Sequence, residues 1–267
     1  MNQVERRVFL IEKLLAERPS CRRQEVPKDA ARQRVLLRGL LNVRPAGAVD
    51  AAFAEVQDAY LQQELAERGI VRLEELTPVD GDLYLWQGDI TRLRCGAIVN
   101  AANSGMTGCY VPNHACIDNC IHTFAGAQLR LDCAKLMAEQ GHEEPTGQAK
   151  ITRAYNLPCG YVLHTVGPIV GARVTKEDER LLASCYRSCL ELAEQNGVES
   201  IAFCCISTGV FHFPNERAAE IAVETVQRYK NETGSGMKVI FNVFKDLDRE
   251  LYGRLLGTGQ AAAAGTR

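Results

Sequence analysis

The chain has 267 residues, of which 46% are hydrophobic and 24% charged, enough for one sizeable globular α/β domain and a smaller piece. Its formal net charge of -2 leaves no basic footprint for DNA or RNA. Arg6, Arg7, Glu12 and Lys13 interrupt the opening MNQVERRVFLIEKLLAERP, so that stretch reads as neither a signal peptide nor a membrane span.

Residues 1–78 read as helical. Val4, Val8, Ile11 and Leu15 recur at helical spacing. A second run, AARQRVLLRGLLNV, is rich in Leu and Arg. A third, from about Asp50, puts Phe53, Val56, Leu61 and Leu65 near one face and stops at Gly69. No strand pattern is visible here, and the expectation is a helical extension packed on the main domain. PVDGD then reads as a turn.

From residue 79 to 256 short β-rich runs alternate with helical stretches. The strands are LYLWQ, AIVN, KITRAYN, YVLHTV, SIAFCCI and KVIFNVF; the helices run from about Ile117 to Gln140, Lys176 to Asn196 and Asn215 to Lys230. Such alternation predicts an α/β domain with a mostly parallel sheet covered on both faces. The short turn LPCG makes KITRAYN and YVLHTV an antiparallel hairpin at one side, so the sheet is mixed. The tail 257–267, GTGQAAAAGTR, has the composition of a disordered segment.

Eleven cysteines without a leader read as reduced thiols in a cytoplasmic protein, used in the core or as metal ligands. Cys185 and Cys189 share a helix face, and Cys204 and Cys205 lie in an apolar run; all four read as core. Cys109, His114 and Cys116 form a C-x4-H-x-C cluster that suits tetrahedral zinc, Zn2+, with a fourth position open to water or substrate. Cys120 competes for a zinc position, and His122 reads as packing rather than as a fourth ligand. If either closed the sphere, the zinc would be structural. His164 reads as a hydrogen-bonded core histidine.

In open α/β sheets ligands bind beyond the carboxyl ends of the strands. Three loops fit: GDIT at Gly88–Thr91, the segment after AIV carrying Asn100, Asn103, the cluster and Asp118, and STGVFHFP at Ser207–Pro214. The last has small residues ahead of a helix, an arrangement suited to an anion. Asp89 reads equally as an acceptor for an amino group and as a cap for the turn beginning at Ile90.

GDIT, AIVNAAN at 97–103, IDNCIHTFAG at 117–126, VLHTVGP at 162–168 and ISTGVFHFP at 206–214 occur in that order, and together they resemble the macrodomain family. The likeness is closest to the branch that hydrolyses ADP-ribose from proteins. It implies a three-layer α/β/α sandwich with a mixed sheet, preceded by the helical extension. The glycine-rich run usual between the asparagines and the acid is replaced by TGCYVPNHAC, as in the zinc-containing bacterial subgroup. The contacts made by that glycine run do not carry over. By position, the resemblance has Asp89 accept from the adenine amino group, with the Ile90 N–H beside it. Ser207, Thr208, Gly209 and Val210 offer N–H groups to the diphosphate, and Phe211 packs on the distal ribose. Asn103 orients that ribose, and Asp118 is the acid near the scissile bond; Asn103 and Asp118 are the candidate catalytic pair.

Cleaving an ADP-ribose–carboxylate ester needs a positioned water and stabilised charge. Two thiolates neutralise zinc, which favours positioning the sugar over making a strong nucleophile. The implied function is zinc-dependent removal of mono-ADP-ribose from modified proteins. A reader without turnover and an O-acetyl-ADP-ribose deacetylase are the alternatives. Members of the subgroup accompany a sirtuin-like transferase and a lipoyl carrier protein, which the resemblance implies as partners.

Overall fold

A computed structural model describes residues 1–18 and 25–257; the tail expected over 257–267 lies outside them apart from Gly257. Three helices come first: α1 Gln3–Ala16, α2 Ala30–Val43 and α3 Ala51–Arg68. Each starts with a side-chain cap, from Asn2, Asp29 and Asp50. They bury Leu10, Ile11, Leu14, Leu37, Leu40, Phe53, Tyr60 and Leu61 among themselves in a core separate from the main one. Val4 lies on the exposed side, so the inward face of α1 is centred on Arg7, Leu10, Ile11 and Leu14.

Two short strands interrupt the segment expected to be helix and turn. β1 (Val71–Arg72) pairs in parallel with β4 (Leu93–Arg94). β2 (Pro78–Asp80) lies antiparallel to β3 (Leu83–Gln87). An edge strand tolerates Pro78 because no neighbour needs its N–H; the turn itself sits at Gly81, with φ +52°.

The remaining strands are β5 Ala97–Ala102, β6 Ala149–Arg153, β7 Tyr161–Val166, β8 Ser200–Phe203 and β9 Lys238–Val243. The main sheet runs in the order β2-β3-β9-β8-β5-β7-β6. Its centre is parallel, and both edge pairs, β2–β3 and β6–β7, are antiparallel. The expected hairpin at one side is therefore present. Helices α6 Lys176–Gln195, α7 Asn215–Thr233 and α8 Asp246–Leu255 pack side by side as one layer, and α4 Ile117–Ala125 and α5 Ala127–Gln140 form the other. This is the mixed-sheet α/β/α sandwich that the resemblance implies.

The helix expected over 117–140 is broken at Gly126, whose φ of +99° ends α4 and starts α5. Strand β8 stops at Phe203 rather than continuing to Ile206. It pairs with β5 only through Ile201 and Ala202, whereas β5 pairs with β7 along its whole length. From β5 the chain goes to β6 and β7 on one side and then crosses from β7 to β8 and β9 on the other, so strand order reverses at β5–β8. The two strands diverge there, and the sheet opens into a crevice at its carboxyl end. Cys185 and Cys189 are fully buried on α6, as expected; Cys204 is buried, but Cys205 is half-buried and lines the crevice.

Candidate active site

The crevice is a cavity of about 390 Å³. Asp89 and Ile90 line it from the turn after β3, Cys116 and Ile117 from the start of α4, and Ser207 to Phe211 from the loop after β8. Three loops distant in sequence thus meet at one cavity.

Asp89 is both a cap and a cavity residue. Its Oδ1 accepts from Thr91 N at 3.0 Å and Thr91 Oγ1 at 2.7 Å, closing the short turn Ile90–Arg92. The loop after β8 is held in an unusual shape. Ser207 and His212 lie in the left-handed region, with φ of +64° and +58°. Phe213 N donates to Ser207 O, and Val170 N to Phe211 O. Thr208 N turns toward Cys205 O, so it is not free for a ligand as expected. Among the described residues the N–H groups of Gly209, Val210 and Phe211 have no protein acceptor. A Cβ at Gly209 would meet no atom within 4 Å. Consecutive unpaired N–H groups on the wall of a cavity suit an anion.

Asn103 and Asp118 meet at the other side of β5. Asp118 Oδ1 accepts from Asn100 Nδ2 at 2.8 Å, and Oδ2 from Asn103 Nδ2 at 3.2 Å. Asn103 Nδ2 also donates to Gly108 O, and its Oδ1 accepts from Gly105 N. Asn103 is exposed, whereas Asp118 is 5% exposed and does not line the cavity. Burial raises the Asp118 carboxyl to about 6, against the pull of Asn100, Arg130 and Asn103.

The ligand atoms of Cys109, His114 and Cys116 all lie within 4.8 Å of one another. Cys109 Sγ is 3.5 Å from His114 Nδ1, and Cys116 Sγ caps α4 by accepting from Asn119 N at 3.4 Å. Burial, with Cys109 adding to it, pushes the Cys116 thiol up to about 12. A cation would reverse that balance, because thiolate is the form that ligates. Two sulfurs and one imidazole, close together and half-buried, fit zinc. Cys120 and His122 stand outside this trio. Cys120 Sγ takes Arg38 Nη2 at 3.5 Å and lines the cavity. The His122 ring packs over Gly108, with Nε2 3.5 Å from Asp118 Oδ1.

His122, Cys133 and His164 form a second compact trio, sealed in the core. His164 faces Asn100 Nδ2 at 3.2 Å and Thr152 Oγ1 at 2.9 Å with its two ring nitrogens, as a hydrogen-bonded core histidine does.

Several lining residues do not stand out in the sequence. Phe244, 74% exposed at the end of β9, faces the cavity together with Asn242, Lys245 and Asp248. Its position just past the carboxyl end of a parallel strand is what could have marked it. The helical extension is less legible still. From α2, Arg38 Nη2 donates to His114 O at 2.9 Å, and Asn42 Oδ1 accepts from Asn113 N at 2.9 Å.

The profile of the Macro domain family matches residues 99–222. A "Protein-ADP-ribose hydrolase" of Treponema medium is 59% identical over 260 residues, 96% of this chain and all of the relative. One of the same name from Staphylococcus aureus (strain MSSA476) is 56% identical over 219 residues, 81% of this chain and 82% of the relative. Among solved structures, a Trypanosoma brucei macrodomain in complex with ADP-ribose is 31% identical, with a TM-score of 0.65, over 86% of this chain and 97% of that one. The Oceanobacillus iheyensis macrodomain with ADP is 34% identical, with a TM-score of 0.61, over 68% of this chain and 94% of that one.

Proposed function

This chain belongs to the macrodomain family, and from that premise we propose that it is a hydrolase that removes mono-ADP-ribose from modified proteins, with a zinc ion held by Cys109, His114 and Cys116. The observation that carries this reading is one cavity bordered by three things: Asp89, the free N–H groups of Gly209 to Phe211, and Cys116 of the metal trio. Adenine binds at the Asp89 end, where the carboxylate accepts from its amino group and the exposed Phe244 ring offers a face for stacking. The diphosphate binds to the N–H groups after β8. The distal ribose then falls beside Phe211, Cys116 and Asn103.

The reaction adds water across the bond between the ribose anomeric carbon and a protein carboxylate, giving free ADP-ribose and a free acid. Asn103 spends both amide hydrogens on Gly108 and Asp118, and its Oδ1 accepts from Gly105 N, which leaves one lone pair to accept from a ribose hydroxyl. Asp118 holds the Asn100 and Asn103 amides from beneath and acts as a positioning residue. The N–H groups after β8 stabilise the diphosphate and anchor the sugar for attack. When bound, zinc supplies a Lewis acid at the distal ribose.

The test is release of ADP-ribose from an aspartate- or glutamate-linked mono-ADP-ribosylated protein. We expect Asn103→Ala to slow release about a hundredfold while ADP-ribose binding changes little. Tight binding without release by the native protein, across linkages, would make the chain a binding module instead. A lipoyl carrier protein modified by a sirtuin-like transferase, the partner that the resemblance implies, belongs in the same substrate panel.

A further inference from the structure

We infer that Arg68, in the last turn of the helical extension, sets base selectivity at the adenine end of the cavity by fixing the carboxylate of Asp89. The inference rests on the reading that ADP-ribose occupies the cavity with its base at Asp89.

Arg68 Nη1 donates to Asp89 Oδ2 at 3.0 Å and to Thr91 Oγ1 at 3.1 Å. Thr91 in turn donates to Asp89 Oδ1 through both its N–H and its hydroxyl. Each carboxylate oxygen is therefore anchored, one by the turn and one by the extension. The guanidinium is itself fixed. Its carbon lies 3.7 Å from the centroid of the Phe124 ring on α4, a cation–π contact. The end of α3 is tied to the same turn from the other direction, because Arg92 Nε donates to Gly69 O at 2.8 Å. Gly69, with φ +79°, lets the chain leave the helix there.

Arg68 does not line the cavity; Asp89 does. Arg68 is thus a positioning residue, acting through the carboxylate. The chemistry at stake is the base edge. Adenine presents an amino donor at its 6-position, which a carboxylate accepts. Hypoxanthine presents a carbonyl oxygen there, which a carboxylate repels. A carboxylate pinned at both oxygens cannot rotate away from the wrong base, so it discriminates. One pinned only through Thr91 can turn aside and discriminates less. Thr91 alone cannot replace the contact, since its hydroxyl and N–H are both committed to Oδ1.

The experiment is calorimetric titration of the full chain with ADP-ribose and with its hypoxanthine counterpart, inosine diphosphate ribose. Native protein, Arg68→Ala and Arg68→Lys are compared, alongside steady-state release kinetics on a mono-ADP-ribosylated protein. We expect native protein to prefer the adenine ligand. Arg68→Ala weakens ADP-ribose about tenfold and the hypoxanthine ligand far less, so the preference shrinks. KM rises accordingly, while kcat holds. Arg68→Lys, which keeps a point charge within reach of Asp89, recovers most of the preference and keeps the inference testable if the alanine variant fails to fold. Equal loss of both ligands, or an unchanged preference in Arg68→Ala, would overturn the inference. Native protein that binds neither ligand would overturn the ADP-ribose reading beneath it as well.

Discussion

The two walls of the cavity are built in different ways. The loop after β8 is made by the α/β core alone. Its left-handed Ser207 and His212 and its bonds to Val170 and Phe213 shape three free N–H groups with no help from elsewhere. The metal loop opposite, Cys109 to Cys116, has no regular structure of its own and is gripped by the extension. Arg38 bonds His114 O, Asn42 bonds Asn113 N, and the side chain of Asn113 sits so close to Gly39 that a Cβ there would come within 3.1 Å. Arg130 of α5 completes the junction, donating to Leu41 O, Asn42 O and Arg44 O while lying over the Tyr110 ring at 4.4 Å. The anion-facing wall is thus built by the core, whereas the extension reaches both the Cys109–Cys116 loop, through Arg38 and Asn42, and the Asp89 turn, through Arg68.

That contrast can be broken at four points. The largest effect is expected in the core behind Asn100, at His164. Burial holds its imidazole at about 4, below the ordinary 6.5. Between those values the unfolded chain takes up a proton that the folded chain refuses. The stability is full above pH 6.5 and falls as the pH drops toward 4, by about 3 kcal/mol. Denaturant unfolding across that range should show His164→Asn with a slope flatter by about 1.4 kcal/mol per pH unit. His122, lowered in the same direction by burial, keeps its own share of the slope.

On the core wall, Gly209→Val fits the fold, because nothing stands within 4 Å of a Cβ there, but it fills space that the diphosphate needs. ADP-ribose binding should fall about a hundredfold by calorimetry, with the metal content of the protein unchanged. On the opposite wall, Asn42→Ala removes a buried side chain bonded to both Asn113 N and Thr123 Oγ1. Release of ADP-ribose should slow about tenfold, while binding stays within about twofold of native. If binding and release fell together, the division between the walls would be wrong. The smallest effect is expected from Phe244→Ala, which removes a stacking face worth about 1 kcal/mol and weakens binding about fivefold.

The core wall was the more legible in sequence for a physical reason. Gly88–Thr91, Ala97–Asn103 and Ser207–Pro214 are short stretches whose functional groups lie close together along the chain, so their residue types appear side by side. The trio Cys109, His114 and Cys116 is compact in sequence for the same reason, and the structure brings its ligand atoms together. What escaped is what acts across long separations. Arg38 lies 76 residues from His114, and Arg68 lies 21 from Asp89 and stacks on Phe124. As surface-type residues on amphipathic helices, they look like any solvated face. Gly126 reads as a tolerated glycine in an apolar helical run, yet its left-handed φ splits that run in two. Helix α8 is only 10 residues long and follows a strand with no turn signature, so its pattern was too brief to read.

In the proposed reaction the Cys109–Cys116 loop and Asn103 act on a ribose that the core wall holds. The most direct measurement is ADP-ribose release from an aspartate- or glutamate-linked substrate by native protein with its zinc content determined, by the same protein stripped of metal, and by Cys116→Ser. Release is expected from the native protein alone, with ADP-ribose binding retained in all three. Release that survives both stripping and substitution, or native zinc-loaded protein that binds ADP-ribose and releases none, would contradict it.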